Sequence, residues 1–117
     1  MSRKLEDLSD RMRPLAVELL RLARLEFPVA IIETLRTPEQ QAINVKNGVS
    51  WTLHSKHLTG DAIDVAPSAV LLLKNWAPLH PDWLRLGEIG EALGLVWGGR
   101  WKRRDCPHFQ IKEESHA

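Results

Sequence analysis

The segment "HSKHLTGDAID", His54 to Asp64, sets two histidines and two aspartates around a glycine in a stretch too polar for a core. Imidazole and carboxylate are common ligands of a catalytic zinc, which takes three such groups and keeps a fourth position open for water. His57 and Asp64 stand seven residues apart with Gly60 between them, a spacing that lets the chain turn and return both side chains to one point. A third ligand has to come from elsewhere. His108 in "DCPHFQ" is the best candidate, because Pro107 stiffens its backbone and the strand-like "HFQI" holds the ring on a rigid element.

Other readings of the same residues compete. Taken alone, His57 and Asp64 also fit a capped turn before a strand, with the carboxylate bonded to backbone N–H groups. Asp61 is as near to the histidines as Asp64, but its opposite strand phase points it elsewhere, to surface solvation. His54 suits a loop contact, His80 before Pro81 suits turn chemistry, and His116 lies in the tail. Cys106 is expected to point away from the metal, since a fourth protein ligand would close a catalytic site.

Three ordered blocks carry a family resemblance. "SKHLTGDAID" is similar to the S-x-H-x-x-G-x-A-x-D signature of zinc peptidases that include D-alanyl-D-alanine carboxypeptidases and phage L-alanyl-D-glutamate endopeptidases; "DCPHFQ" resembles their closing D-x-P-H, and "LRTPEQQ" resembles the preceding R-[ST]-x-x-x-Q. The resemblance implies that His57, Asp64 and His108 bind Zn2+ and that Asp105 is the general base. Zinc lowers the pKa of its water towards neutrality, and a carboxylate within reach takes the proton as that water attacks a peptide carbonyl. It further implies that Arg36 meets a substrate carboxylate or the developing oxyanion, with Gln41 supporting it and Ser55 orienting the loop or touching substrate. Trp101 and Trp51 flank these blocks and are candidates to line a substrate groove. The sequence departs from its relatives at Arg100, where an acidic residue often follows "WGG", and this bears on the charge of that groove.

The elements that must position these groups are legible in outline. Apolar residues recur at helical steps from Leu5 to Ala23, as one helix kinked at Pro14 or a short helix followed by a long one, with Ser9 and Asp10 as caps. "VAIIET" (Val29 to Thr34) predicts a buried strand with Arg36 just beyond its end, and Pro38 opens a helix that Gly48 closes. "AIDVAP" is a short strand stopped by Pro67. "DWLRLGEIGEAL" is a helix from Pro81, with Leu84, Ile89 and Leu93 inward and Gly94 as its stop, and "LVWGG" and "HFQI" are the last strands. Trp76, Trp83 and Trp97 read as packing residues. The fold class expected is α+β, a small mainly antiparallel sheet packed against helices, and the resemblance implies the hedgehog-like fold of the D,D-peptidases. One domain, 1–117, is expected, with an N-terminal helical segment at 1–28 and a loose tail at 112–117.

Composition excludes rather than identifies. With 44% apolar residues there is enough for one core, and a lone cysteine allows no internal disulfide, which suits a reducing cytosol. Sixteen basic against 15 acidic residues, a formal charge of +1, argues against nucleic acid as partner, the local cluster Arg100 to Arg104 notwithstanding. No signal peptide and no membrane-spanning stretch are read, so synthesis is expected in the cytoplasm. By the resemblance, the chain is expected to be a monomeric phage or prophage endolysin, cutting the peptidoglycan stem peptide once a pore releases it to the wall, with no room after residue 111 for a wall-binding module. The rivals are a D-alanyl-D-alanine carboxypeptidase or dipeptidase and an inactive zinc-bearing wall-binding module; the presence of Asp105 argues against the latter.

Overall fold

The computed structural model describes residues 2–50, 52, 54–73 and 80–113. A 3-10 turn (Leu5–Asp7) precedes helix α1 (Arg13–Arg24), so the N-terminal periodicity resolves into a short and a long element. Pro14 sits in the first turn of α1, where its missing N–H costs nothing. The Ser9 hydroxyl accepts from the Met12 N–H at 3.2 Å just ahead of it.

Strand β1 (Val29–Glu33) leads to helix α2 (Pro38–Lys46), whose N-terminus is capped by the Thr37 hydroxyl accepting from Gln40 N–H. Strand β2 (Ala62–Pro67) runs directly into a one-turn helix, α3 (Ser68–Leu72), which the sequence reading did not anticipate. Helix α4 (Pro81–Ala92) and strands β3 (Val96–Trp97) and β4 (His108–Gln110) complete the described elements. Trp76 lies outside the described residues, as do Trp51, His116 and the tail beyond residue 113.

The four strands form one antiparallel sheet in the order β1-β2-β4-β3, giving the expected α+β class. In β2 against β4, Asp64 pairs with His108. Against β1, Ile31 pairs with Val65 but Glu33 pairs with Asp64, so one extra residue is accommodated in β1. That irregularity sets Glu33, instead of Ile32, beside Asp64. In an antiparallel ladder directly paired residues share a face, so Glu33, Asp64 and His108 line up across three strands.

Helices α1 and α4 cover the sheet with Ala16, Leu19, Leu20, Ala23, Trp83, Leu86 and Ile89 against Ile63, Val65 and Phe109, all buried. Leu84 was expected on the inner side of α4 but is 47% exposed. The buried line runs Trp83, Leu86, Gly90, in helical steps of three and four, and leaves Leu84 one residue off that face. A Cβ on Gly90 would lie 2.4 Å from the Phe109 ring, so the missing side chain sets how closely α4 approaches β4. Trp97 is buried on the same side and donates its indole N–H to the Cys106 carbonyl at 2.8 Å.

Asp61 is the second correction. It is 7% exposed, not solvated: its carboxylate accepts from Ser9 Oγ at 2.6 Å, Thr59 Oγ1 at 2.7 Å and Arg11 Nη2 at 3.1 Å. The phase argument did not apply because Asp61 precedes β2, and the N-terminal segment folds back over the turn that it occupies. These bonds, the one from Arg11 foremost, hold its pKa down at about 2.

Candidate metal centre

His57 is carried by a 3-10 turn (Lys56–Thr59) within what the sequence suggested was plain loop. Ser55 caps it, its hydroxyl accepting from the His57 N–H at 3.2 Å. Gly60 ends the turn at φ +73°, where a Cβ would also lie 2.8 Å from the Ser9 nitrogen, so glycine is required twice over. The chain then reverses into β2 and delivers Asp64 beneath His57.

The two imidazoles are fixed from outside. His57 Nδ1 lies 2.8 Å from the Thr34 carbonyl, an acceptor only, so Nδ1 carries the proton and Nε2 presents its lone pair to Asp64 Oδ1 at 2.9 Å. His108 is turned the other way, with Nε2 2.8 Å from Gln110 Oε1 and Nδ1 3.2 Å from the same Asp64 oxygen. Two lone pairs and a carboxylate oxygen thus converge, all within 4.8 Å of one another. Such an arrangement of acceptors calls for a cation, and two imidazoles with one carboxylate form a donor set suited to zinc with a position left open. Where protons bridge these groups in place of a cation, burial pushes the Asp64 carboxyl up, but the bonds that His108 and His57 then donate outweigh it and hold the carboxyl well below the usual carboxylate range. Burial likewise works to lower His108, and the Asp64 contact outweighs it and raises this imidazole.

Asp105 stands at the edge, half-exposed, with Oδ2 3.9 Å from His108 Nδ1. Partial burial, and then the negative charge of Asp64, push its carboxyl above the ordinary value. Arg36 donates from Nε and Nη2 to Glu33 Oε1 and from Nη1 to Gln41 Oε1 at 2.6 Å. Gln41 in turn donates to Ser50 Oγ at 2.8 Å and to the Thr52 carbonyl, tying α2 to the loop that leads to His57. The Arg36 N–H also donates to the His57 carbonyl at 3.0 Å.

Arg36, His57, Asp64, Trp101, Asp105 and His108 line a cavity of about 480 Å³, with Ser55 also in its wall. The Trp101 ring lies 5.1 Å from that of His108. His54 touches the cavity and its N–H bonds Thr52 Oγ1, a loop contact. His80 caps α4 by accepting from Asp82 N–H. Cys106 is buried with the core residues, and that burial raises its thiol pKa. Glu33, Thr34 and Gln110 were not singled out from the sequence. A carboxylate closing the apolar run "VAIIE" three residues before an arginine was the available signal for Glu33; nothing local marked the other two.

The D-alanyl-D-alanine carboxypeptidase model of the M15 peptidases matches residues 43–111. The chain belongs to this family. M15 peptidases are metallopeptidases, and in this member His57, Asp64 and His108 form a group able to hold a metal. The L-alanyl-D-glutamate peptidase of Escherichia phage T5 is 30% identical over 97% of this chain and 87% of its own length. That of Listeria phage A118 is 36% identical over 76% of this chain, which spans only 32% of that larger protein. Among solved structures, the Serratia marcescens L-Ala D-Glu endopeptidase ChiX superposes with a TM-score of 0.67 at 32% identity, covering 92% of this chain and 83% of ChiX. The fold is thus shared with ChiX over most of both chains. Among the described residues, no helix is long and apolar enough to cross a membrane.

Proposed function

We propose that the chain is a zinc-dependent L-alanyl-D-glutamate endopeptidase acting on the peptidoglycan stem peptide, with residues 1–117 working as one monomeric peptidase unit. The observation that carries this reading is the convergence of His57 Nε2, Asp64 Oδ1 and His108 Nδ1 at an open cavity that also holds Asp105. The phage T5 and Serratia proteins, aligned over most of their lengths, bear this specificity in their names.

His57, Asp64 and His108 would hold the zinc ion, which when bound would supply Lewis acidity towards a water and the scissile carbonyl. Asp105 takes the proton as the water attacks and passes it to the departing amine nitrogen; a carboxyl raised by burial and by Asp64 is the better base for work near neutral pH. Arg36, held by Glu33 and Gln41, offers its remaining N–H groups to the oxyanion. Thr34 and Gln110 keep both imidazoles from rotating out of register. Trp101 gives the substrate an apolar wall beside His108, and Ser55 fixes the turn that carries His57. The place of action is the cell wall, reached by a phage lysin from the cytoplasm through a membrane pore.

The family model's own description favours a second reading, a D-alanyl-D-alanine carboxypeptidase. Mass spectrometry of intact, crosslinked sacculi and of free pentapeptide after digestion separates the two, run alongside metal analysis of the purified protein. Release of D-glutamate-headed peptides from sacculi supports the endopeptidase; loss of only a terminal D-alanine from pentapeptide sinks it.

A further inference from the structure

Among the described residues, two basic side chains line the cavity, Arg36 and Lys56, and they are held very differently. The Arg36 guanidinium is committed to Glu33, whose side chain is 6% exposed, and to Gln41. Three of its five N–H donors are used, and the buried pair carries no net charge. It offers directed hydrogen bonds more than a free positive charge.

Lys56 immediately precedes the ligand His57 in the same 3-10 turn. Its backbone is pinned, the carbonyl accepting from the Asp61 N–H at 3.0 Å and from Thr59 Oγ1 at 3.3 Å. Its ammonium group is not: it pairs with Glu113, whose side chain is 61% exposed, on the segment that follows β4. Exposed pairs of this kind contribute little net stability and exchange readily for another carboxylate.

The bond assigned above has D-glutamate on its leaving side, and the α-carboxylate of that residue lies two bonds from the departing nitrogen. A cation anchored next to a metal ligand, and paired among the described residues with an exposed carboxylate, has the charge and the position to receive it. We propose that Lys56 is the specificity-determining cation of the cavity, taking the carboxylate of the residue after the scissile bond, and that Glu113 occupies it in the free protein. The inference rests on the endopeptidase reading of the site. It moves the carboxylate role from Arg36 to Lys56 and leaves Arg36 to the oxyanion.

The test compares two synthetic stem peptides that differ only in bearing an α-carboxylate or an α-carboxamide on the residue after the scissile bond. Lys56→Met lowers the carboxylate-to-carboxamide ratio of kcat/KM by about tenfold, chiefly through KM, while Lys56→Arg restores most of it. Glu113→Gln lowers KM for the carboxylate peptide alone. An equal change on both peptides in Lys56→Met, or a fall in zinc content that tracks activity, overturns the assignment of Lys56. An unchanged KM in Glu113→Gln overturns the role of Glu113. Calorimetric binding of a D-glutamyl peptide to the zinc-loaded protein keeps the two readings apart. If neither peptide is cut but this binding still depends on Lys56, the endopeptidase reading fails and the carboxylate site stands; if cutting proceeds and the ratio ignores Lys56, only the carboxylate site fails.

Discussion

Asp64 and His108 are directly opposite each other on adjacent antiparallel strands, and Asp64 Oδ1 lies 3.2 Å from His108 Nδ1. Directly paired residues share a face, so this register brings together two groups able to hold a metal that stand 44 residues apart in the chain. His57 then needs only the turn through Gly60 to reach the same oxygen.

That arrangement separates ligand from base by experiment. His108→Ala is expected to lose both bound zinc and activity, and elemental analysis beside a turnover assay checks it. Asp105→Ala is expected to keep near-stoichiometric zinc while turnover falls by about 10³-fold. Loss of zinc in Asp105→Ala would make that carboxylate a ligand, and an active His108→Ala would end the three-ligand scheme.

Glu33 holds Arg36 in a nearly buried pair. Removing one partner of such a pair strands the other, so Glu33→Ala is expected to destabilise by about 3 kcal/mol in denaturant unfolding. Glu33→Gln retains an acceptor and should recover part of that. Equal stability of both variants with the wild type would show that the pair holds nothing in place.

Asp61 makes part of the stability depend on pH. Its folded pKa is depressed to about 2 from an ordinary 3.8. The contribution is therefore fully present above about pH 4 and is lost as pH falls through 2. Because Arg11 is 58% exposed, screening trims it to roughly 1 kcal/mol. Urea unfolding of wild type and Asp61→Asn should differ by that amount at pH 6 and converge below pH 2; a gap that is constant with pH contradicts the ionic origin.

Gly90 offers a test of packing remote from the cavity. Gly90→Ala puts a methyl where Phe109 already stands, and overpacking of this kind costs about 1–3 kcal/mol despite the better helix propensity of alanine. A rise in thermal midpoint would mean that α4 has room to shift.

Much of this protein is written locally. The proline at each helix start, the β-branched run of β1, the glycine after the His57 turn and the order of His57, Asp64 and His108 are all carried by short stretches with their own conformational preferences, which is why the α+β class and the family could be read from the chain. Leu84 differs because periodicity gives a face only up to a rotation; Asp61 differs because it lies before β2, outside any strand phase, where the distant N-terminal segment packs over it. No stretch of sequence announces that β1 takes in an extra residue so that Glu33 stands beside Asp64, or that the Thr34 carbonyl and the Gln110 amide fix the two imidazoles. Such contacts arise from strand register and chain reversal, which depend on the summed packing of the whole core. The sequence by itself determined which groups are available for chemistry and in what order; the tertiary structure alone decided which nitrogen of each histidine faces the site, and which of the two cations sits in a buried pair and which in an exposed one.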